Sequence, residues 1–353
     1  MRVGLSLLTL VPGAVGGSET YARELCRALA RVGELEYAVF APTVAPGAGE
    51  ALPTTVVPEY RARTTTGGRI AAMSLATAMP APIRRRFEGA ALDALHFPLS
   101  VMIPRVDTPP AVTTVHDLQH ELYPAFFSRA ELAYRRAVYG WTVKRSRLLI
   151  AISEHARSTM LQRYGLPRER VRTIHLGIDR ERLTPDDRMR KPFLLYPANH
   201  WPHKNHDRLF DAFGVVRLER PELRLVLTGQ GHDRARLPEA VESRGHVSAD
   251  ELVDLYRSAA CLVFPSLYEG FGLPPLEAMA CGCPVATSNA TSLPEVCGDA
   301  AEYFDPLSTE EMAAAILRAL EGRLVERGVA RAAAFTWDAC ARAHDAVYRD
   351  VSA

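Results

Sequence analysis

Residues 261–287 read CLVFPSLYEGFGLPPLEAMACGCPVAT and contain a strand, a loop, a helix start and a second strand in succession. Cys261 to Phe264 is a short, wholly apolar run of the kind buried on both faces of a parallel sheet. Pro274 and Pro275 suit the first positions of a helix, where a missing N–H removes no hydrogen bond. Val285 to Thr287 is again β-prone. A strand, a helix and a further strand in that order predict a crossover connection between parallel neighbours.

The alternation extends in both directions. Phe193 to Tyr196 and Leu223 to Thr228 read as strands, with helices over Asp207 to Leu218 and Asp250 to Ser258. In the first half Val3 to Val11 reads as a strand, and Ala22, Leu25, Cys26 and Leu29 share a helical face that Gly33 ends. Ala111 to Val115 is a strand that delivers His116 at its carboxyl end. Ser128 and Glu131 form a capping box that opens a helix, and Ser153 stands ready to cap another after the strand Leu148 to Ile152. The class is α/β. The stretch GIDRERLTPDDRMRKP, residues 177–192, is charged, proline-punctuated and aperiodic, as a linker is. The expected domains are 1–180 and 181–335, with a helix over 336–353, capped by Thr336, that is long enough to return to the first domain. Residues 41–82 yield little beyond surface loops and at most one helix.

Composition narrows the function classes. The 353 residues are 48% hydrophobic and 24% charged, which excludes wholesale disorder, collagen-like repeats and coiled coils. Lys+Arg 42 against Asp+Glu 41 gives a net charge of +1, which argues against nucleic acid as a partner. No apolar run is long enough to span a bilayer. The first residues resemble a short signal peptide, but Pro12 and the Gly16-Gly17 pair before an amphipathic helix fit a buried strand and its loop better. The six cysteines stand in apolar surroundings without a C-x-x-C pair, which points to reduced core thiols in a cytoplasmic enzyme.

In open parallel sheets ligands bind beyond the carboxyl ends of the strands, so four strand-to-helix loops carry the chemistry. Gly16 and Gly17 let a diphosphate approach backbone N–H groups at a helix start, although a tight capped turn explains them equally well. There is no G-x-G-x-x-G fingerprint, which counts against a nicotinamide oxidoreductase. His116 can exchange a hydrogen bond with a sugar hydroxyl, or can simply be satisfied in its own turn. In YPANHWPHKNHDRL, residues 196–209, Lys204 precedes a helix where a cation can neutralise a departing phosphate. His200, His203 and His206 in that loop invite a metal reading, but Pro202 breaks the helical spacing it needs. No D-x-D pair is present, so the expected mechanism needs no metal.

The fourth loop places Glu269 before a helix and Glu277 in its expected first turn, with Gly270, Phe271, Gly272 and Leu273 between. Glu269 can accept from sugar hydroxyls, the Phe271 to Leu273 amides can face a diphosphate, and Glu277 can accept both hydroxyls of a ribose. Helix-dipole compensation, worth about 0.3–1 kcal/mol, explains Glu277 alone but not Glu269.

Taken together these loops resemble the retaining glycosyltransferases of family four, over nearly the whole chain and in the same order. The resemblance implies a GT-B fold of two Rossmann-like domains facing each other across a cleft. By that likeness Gly16 and Gly17 approach the donor phosphates, His116 lies near the transferred sugar, and Glu269 and Glu277 are the E-x7-E signature. Val247, in GHVSADELVDLYRSA, meets the nucleobase through its backbone. The ending FTWDACARAHDAVYRDV is similar to the family's closing helix. One departure stands out: the family usually has an arginine five residues before the lysine, and here Asn199 holds that place, with His203 as a helper for Lys204. The loop resembles a bacterial mannosyl- or rhamnosyltransferase-like branch that builds surface or secreted glycans.

The implied reaction moves a sugar from a nucleoside diphosphate sugar to a hydroxyl of a glycan, lipid-linked or small-molecule acceptor, with retained configuration and no cofactor. GDP-mannose is the favoured donor, followed by UDP- and dTDP-sugars. His116, Lys204 and Glu269 form the expected catalytic set. Other readings are an isomerase or phosphorylase of the same fold, or an inactive nucleotide-sugar binding protein. The basic residues Arg84 to Arg86 and the series from Arg135 to Arg147 leave room for contact with the inner face of a membrane, or are a solvated basic face.

Overall fold

The computed structural model describes residues 1–13, 16–232 and 237–352. The chain divides into two compact units, Met1–Gly177 with Trp337–Ala353, and Ile178–Thr336.

The first unit holds strands β1 (Arg2–Ser6), β2 (Glu36–Ala41), β3 (Thr54–Val56), β4 (Ala94–Phe97), β5 (Ala111–Val115), β6 (Leu148–Ala151) and β7 (Val171–Thr173). All pair in parallel, in the order β3-β2-β1-β4-β5-β6-β7. The helices are α1 (Gly17–Val32), α2 (Thr66–Ala78), α3 (Ala81–Glu88), α4 (Gln119–Leu122), α5 (Arg129–Arg145) and α6 (Glu154–Tyr164). Ser128 and Ser153 cap α5 and α6 by accepting from Glu131 N and Ala156 N, each worth about 1 kcal/mol. The central strands are buried on both faces, and β4 and β5 have no exposed residue, whereas the edge strand β3 is exposed throughout.

The second unit repeats the plan with β8 (Lys191–Pro197), β9 (Arg224–Thr228), β10 (Val241–Ser243), β11 (Ala259–Phe264), β12 (Val285–Ser288) and β13 (Glu302–Phe304), parallel in the order β10-β9-β8-β11-β12-β13. Its helices are α7 (His206–Glu219), α8 (Ala249–Ser258), α9 (Leu273–Ala280), α10 (Leu293–Cys297), α11 (Thr309–Leu320) and α12 (Val325–Ala333). In both sheets the strand order reverses beside the first strand, between β1 and β4 and between β8 and β11, which creates a crevice at the carboxyl edge.

The last helix, Trp337–Ser352, belongs to the first unit because buried polar groups bind it there. His344 Nδ1 lies 2.8 Å from the Cys340 carbonyl, so it donates and Nε2 accepts. Tyr21 OH therefore donates to His344 Nε2 at 2.8 Å, and Thr114 Oγ1 donates to Tyr21. Thr114 in turn accepts from His96 Nε2 at 2.9 Å, and Tyr348 OH donates to His96 Nδ1 at 2.8 Å. Every proton in this relay has one assignable place. Both imidazoles are neutral, since burial lowers His96 well below its ordinary value and brings His344 to about 4.

Two expectations need correcting. The first strand ends at Ser6, not Val11; Leu7 to Leu10 form a turn whose leucines are fully buried, so their apolarity reflects core packing. Residues 41–82 contain β3, α2 and the start of α3, where loops and at most one helix were expected.

Candidate active site

Two loops leave the carboxyl ends of β8 and β11 at the crevice of the second sheet, and they bring Lys204 and Glu269 together. Lys204 Nζ donates to Glu269 Oε1 at 2.6 Å, with the two side chains 13% and 14% exposed. The ammonium also lies 5.2 Å from the centre of the Phe264 ring, whose π face favours a cation. One ammonium proton lies on Glu269, which leaves two for other acceptors.

The backbone around this pair is tied down before any ligand arrives. Leu267 N donates to His203 O at 2.8 Å, and Tyr196 OH donates to Lys204 O at 2.6 Å. Asn205, held at φ 58°, donates through Nδ2 to Pro265 O and Pro306 O. Glu269 N donates to Thr291 Oγ1, and the Ser292 hydroxyl reaches both Glu269 O and Phe271 O.

Gly272 opens α9 at φ 108°, and a Cβ there would lie 2.6 Å from Leu293 Cδ2, so only glycine fits. Because Pro274 and Pro275 carry no N–H, the donors at this helix start are the amides of Gly272 and Leu273. Gly270 and Phe271 complete the turn from Glu269. Glu277 is the fifth residue of α9 and lies beyond its first turn, contrary to expectation, because the helix begins at Leu273. Its Oε2 accepts from Tyr256 OH at 2.9 Å; burial raises the Glu277 carboxyl above its ordinary range while this hydrogen bond opposes the rise.

Asn199 Oδ1 accepts from Gln230 N at 2.7 Å and so joins the loop after β8 to the loop after β9. Its side chain holds backbone rather than extending a cation. His203 is partly exposed, with its ring 5.7 Å from Trp201. Val247 is half-buried in the turn between β10 and α8. The histidines regroup relative to the sequence reading: His200, His206 and His232 cluster, with ring centres 4.8–5.7 Å apart. Neither nitrogen of buried His206 has a hydrogen-bond partner, and burial followed by the neighbouring imidazoles brings it to about 3. Among the described residues no His, Cys, Asp or Glu group is placed to hold a metal ion.

In the first unit the sequence pattern singles out Gly16, Gly17 and His116. Gly16, at φ 52°, precedes α1, and a Cβ at either glycine would meet no described atom within 4 Å. Packing therefore does not account for the pair; the positive φ of Gly16 requires glycine there. His116 follows β5 and donates through Nε2 to the Pro98 carbonyl at 2.8 Å, which leaves Nδ1 as acceptor. Burial lowers its pKa, and the Tyr21 ring packs edge-on at 4.9 Å. The result is a neutral, oriented imidazole.

Tyr256, Thr291, Ser292, Asn205 and Phe264 escaped the sequence reading. Tyr256 had a readable signal, since with Val253 it forms the buried stripe of α8. Thr291 and Ser292 had none, because their contacts join loops more than twenty residues apart.

Residues 15–182 match the profile described as Glycosyltransferase Family 4, and residues 179–334 match Glycosyl transferases group 1. The O-antigen chain mannosyltransferase B of Escherichia coli is 32% identical over 65% of this chain and 68% of its own length. The chain is a family 4 glycosyltransferase. Solved structures agree on the GT-B fold: sucrose-phosphate synthase from Thermosynechococcus elongatus superimposes with a TM-score of 0.75 at 20% identity over 99% of both chains. Anabaena HepE in complex with UDP-glucose gives 0.71 at 18% identity, again over 99% of both chains. This glycosyltransferase therefore has two Rossmann-like domains.

Proposed function

We propose that the enzyme transfers mannose from GDP-mannose to an acceptor hydroxyl, retains the anomeric configuration and requires no metal. The observation that carries this reading is the Lys204–Glu269 pair beside the amide donors of Gly272 and Leu273. A diphosphate is an acceptor-rich dianion, and a partly sheltered ammonium next to a helix N-terminus is a preorganised complement to it. Lys204 stabilises the charge that grows on the β-phosphate as its bond to the sugar carbon breaks. Glu269 accepts from sugar hydroxyls, and Glu277, oriented by Tyr256, accepts from the ribose. Val247 meets the base through its backbone, and Asn199 and His203 shape the loop around the diphosphate. Gly16 and Gly17 admit the donor, and neutral His116 accepts a hydrogen bond from the transferred sugar. The acceptor oxygen attacks the face that the diphosphate leaves, and its proton passes to the departing phosphate oxygen.

The mannosyltransferase relative supports the choice of sugar and the UDP-glucose complex supports a nucleotide-sugar donor. Thermal shifts with GDP, UDP, ADP and dTDP test the reading. A nucleotide at a hundred times its Kd stabilises the fold by about 2.7 kcal/mol, so GDP should raise the melting temperature clearly without added metal. If none of the four nucleotides raises it, the donor assignment falls. Radiolabel transfer from GDP-mannose, with the anomer assigned by NMR, then tests sugar and stereochemistry.

A further inference from the structure

Two hydrogen bonds hold His116: Nε2 donates to the Pro98 carbonyl at 2.8 Å, and the backbone N–H donates to Ser100 Oγ at 3.2 Å. The first selects the tautomer. It restrains rotation of the ring only weakly, because Nε2 lies close to the Cβ–Cγ axis and the torsion about that bond is intrinsically broad. Nδ1, the nitrogen left to accept from a sugar, lies farther from the axis and swings more with the same rotation. Its direction therefore depends on what packs against the ring.

Tyr21 packs there. The two rings meet edge to face, with centres 4.9 Å apart and planes at 82°. Tyr21 is fully buried, and its hydroxyl lies 2.8 Å from Thr114 Oγ1 and 2.8 Å from His344 Nε2. Thr114 stands two residues before His116, so the alternation of β5 turns both toward the same face of the sheet. One strand end thus grips the tyrosine twice, by its ring and by its hydroxyl. The last helix supplies the other grip through His344, and its first residue, buried Trp337, lies 6.3 Å from the Tyr21 ring. No hydrogen bond joins this relay to His116 among the described residues, so it carries no proton to the imidazole. What it does is fix a ring.

We infer that Tyr21 is a positioning residue for the transfer: it sets the plane of His116, and with it the direction of Nδ1, and takes its own place from β5 and the last helix. The inference rests on the role proposed above for His116. It also ties that role to α1, since Tyr21 lies on the helix that Gly16 and Gly17 open.

A double-mutant cycle tests this, assayed below the melting temperature of each variant. Tyr21→Leu should lower kcat for transfer about tenfold, the cost of a misdirected hydrogen-bond partner, and leave KM for the donor and the GDP-induced thermal shift unchanged. In a His116→Ala background the same substitution should change kcat no further. Tyr21→Phe, which keeps the ring and loses only its two anchors, should show the same pattern with a loss of about threefold and serves if the leucine variant does not fold. Long-range proton–nitrogen NMR of histidine-labelled protein reads the ring itself. Wild-type His116, assigned by its absence from His116→Ala, should show one Nε2–H tautomer, and Tyr21→Leu should show averaged nitrogens. Equal kcat losses in the wild-type and His116→Ala backgrounds would mean that Tyr21 serves the fold alone, and would overturn the inference. So would wild-type kcat in both Tyr21 variants, or an unchanged His116 spectrum. If His116→Ala itself keeps full turnover, the role given to His116 falls instead, and the spectrum still decides whether Tyr21 holds the ring.

Discussion

The two sheets follow one strand order yet equip their carboxyl edges in opposite ways. The second edge is ionic: Lys204 and Glu269 pair at 2.6 Å beside a helix start. The predicted site residues of the first are neutral: two glycines, and an imidazole that burial keeps uncharged and Pro98 O keeps oriented. In the proposed transfer, charge suits the place where a diphosphate would be held and released, because an ion or aligned dipoles answer the growing negative charge. One scaffold thus carries two differently charged sets of loops.

The largest effects should come from the ionic edge. Lys204→Ala is expected to lower kcat for transfer about 10³-fold and to weaken nucleotide binding, while it also leaves the Glu269 carboxylate without its partner. His116→Ala should cost about 10²-fold in kcat and leave the GDP-induced thermal shift unchanged, since it removes a neutral hydrogen bond from the sugar side. Steady-state kinetics paired with thermal shifts separates the two. Equal losses in nucleotide affinity would erase the contrast between the edges.

What was legible in the sequence follows from the range of the interactions. Apolar runs such as Cys261 to Phe264 and the caps Ser128 and Ser153 are local signals, and the structure has strands and helices there. Glu269 and Lys204 stood out because each follows a strand and precedes a helix. Their pairing did not, since 65 residues separate them and only the β8–β11 adjacency joins their loops. Glu277 was misplaced by a turn because two adjacent prolines left the first helical residue open. Helix α2 was illegible for a further reason: apolar residues on both of its sides erase the period that marks an amphipathic helix.

Buried histidines extend the comparison to stability. In the first unit His96 and His344 sit in a satisfied relay, whereas His206 in the second has neither nitrogen bonded. Tyr21→Phe strips His344 and Thr114 of a partner and should lower the unfolding free energy by about 2 kcal/mol in urea titrations. His206→Leu should be neutral or raise it by about 1 kcal/mol, because it removes an unpaired polar group of similar size. The pH dependence has one sign for all three imidazoles. Their folded pKa values lie below the unfolded value of about 6.5, so the unfolded chain binds more protons below that pH. Stability should be complete above pH 6.5 and decline as pH falls toward about 4, where His344 begins to protonate in the folded state. His206→Leu should flatten that decline from pH 6.5 down to about 3, the span between its unfolded and folded values. A pH-independent melting temperature over this window would mean that these rings are solvated.

The smallest effect concerns the residue that departs from the family pattern. Asn199 accepts from Gln230 N at 2.7 Å, a task no arginine can perform, because a guanidinium offers donors only. Asn199→Arg should therefore free the 229–232 loop while it adds a cation, and the two consequences oppose each other in donor affinity. Asn199→Ala isolates the first. Loss of one loop-to-loop hydrogen bond at a partly exposed site is worth about 0.5–1 kcal/mol, so KM for the donor should rise about threefold with kcat unchanged. Asn199→Asp keeps the acceptor and should keep the loop, but in the proposed reading it adds a negative charge to the loop that holds the diphosphate and should raise KM further than alanine does. If aspartate instead outperforms alanine, holding Gln230 matters more here than charge, and the ionic character of this edge rests on Lys204 alone.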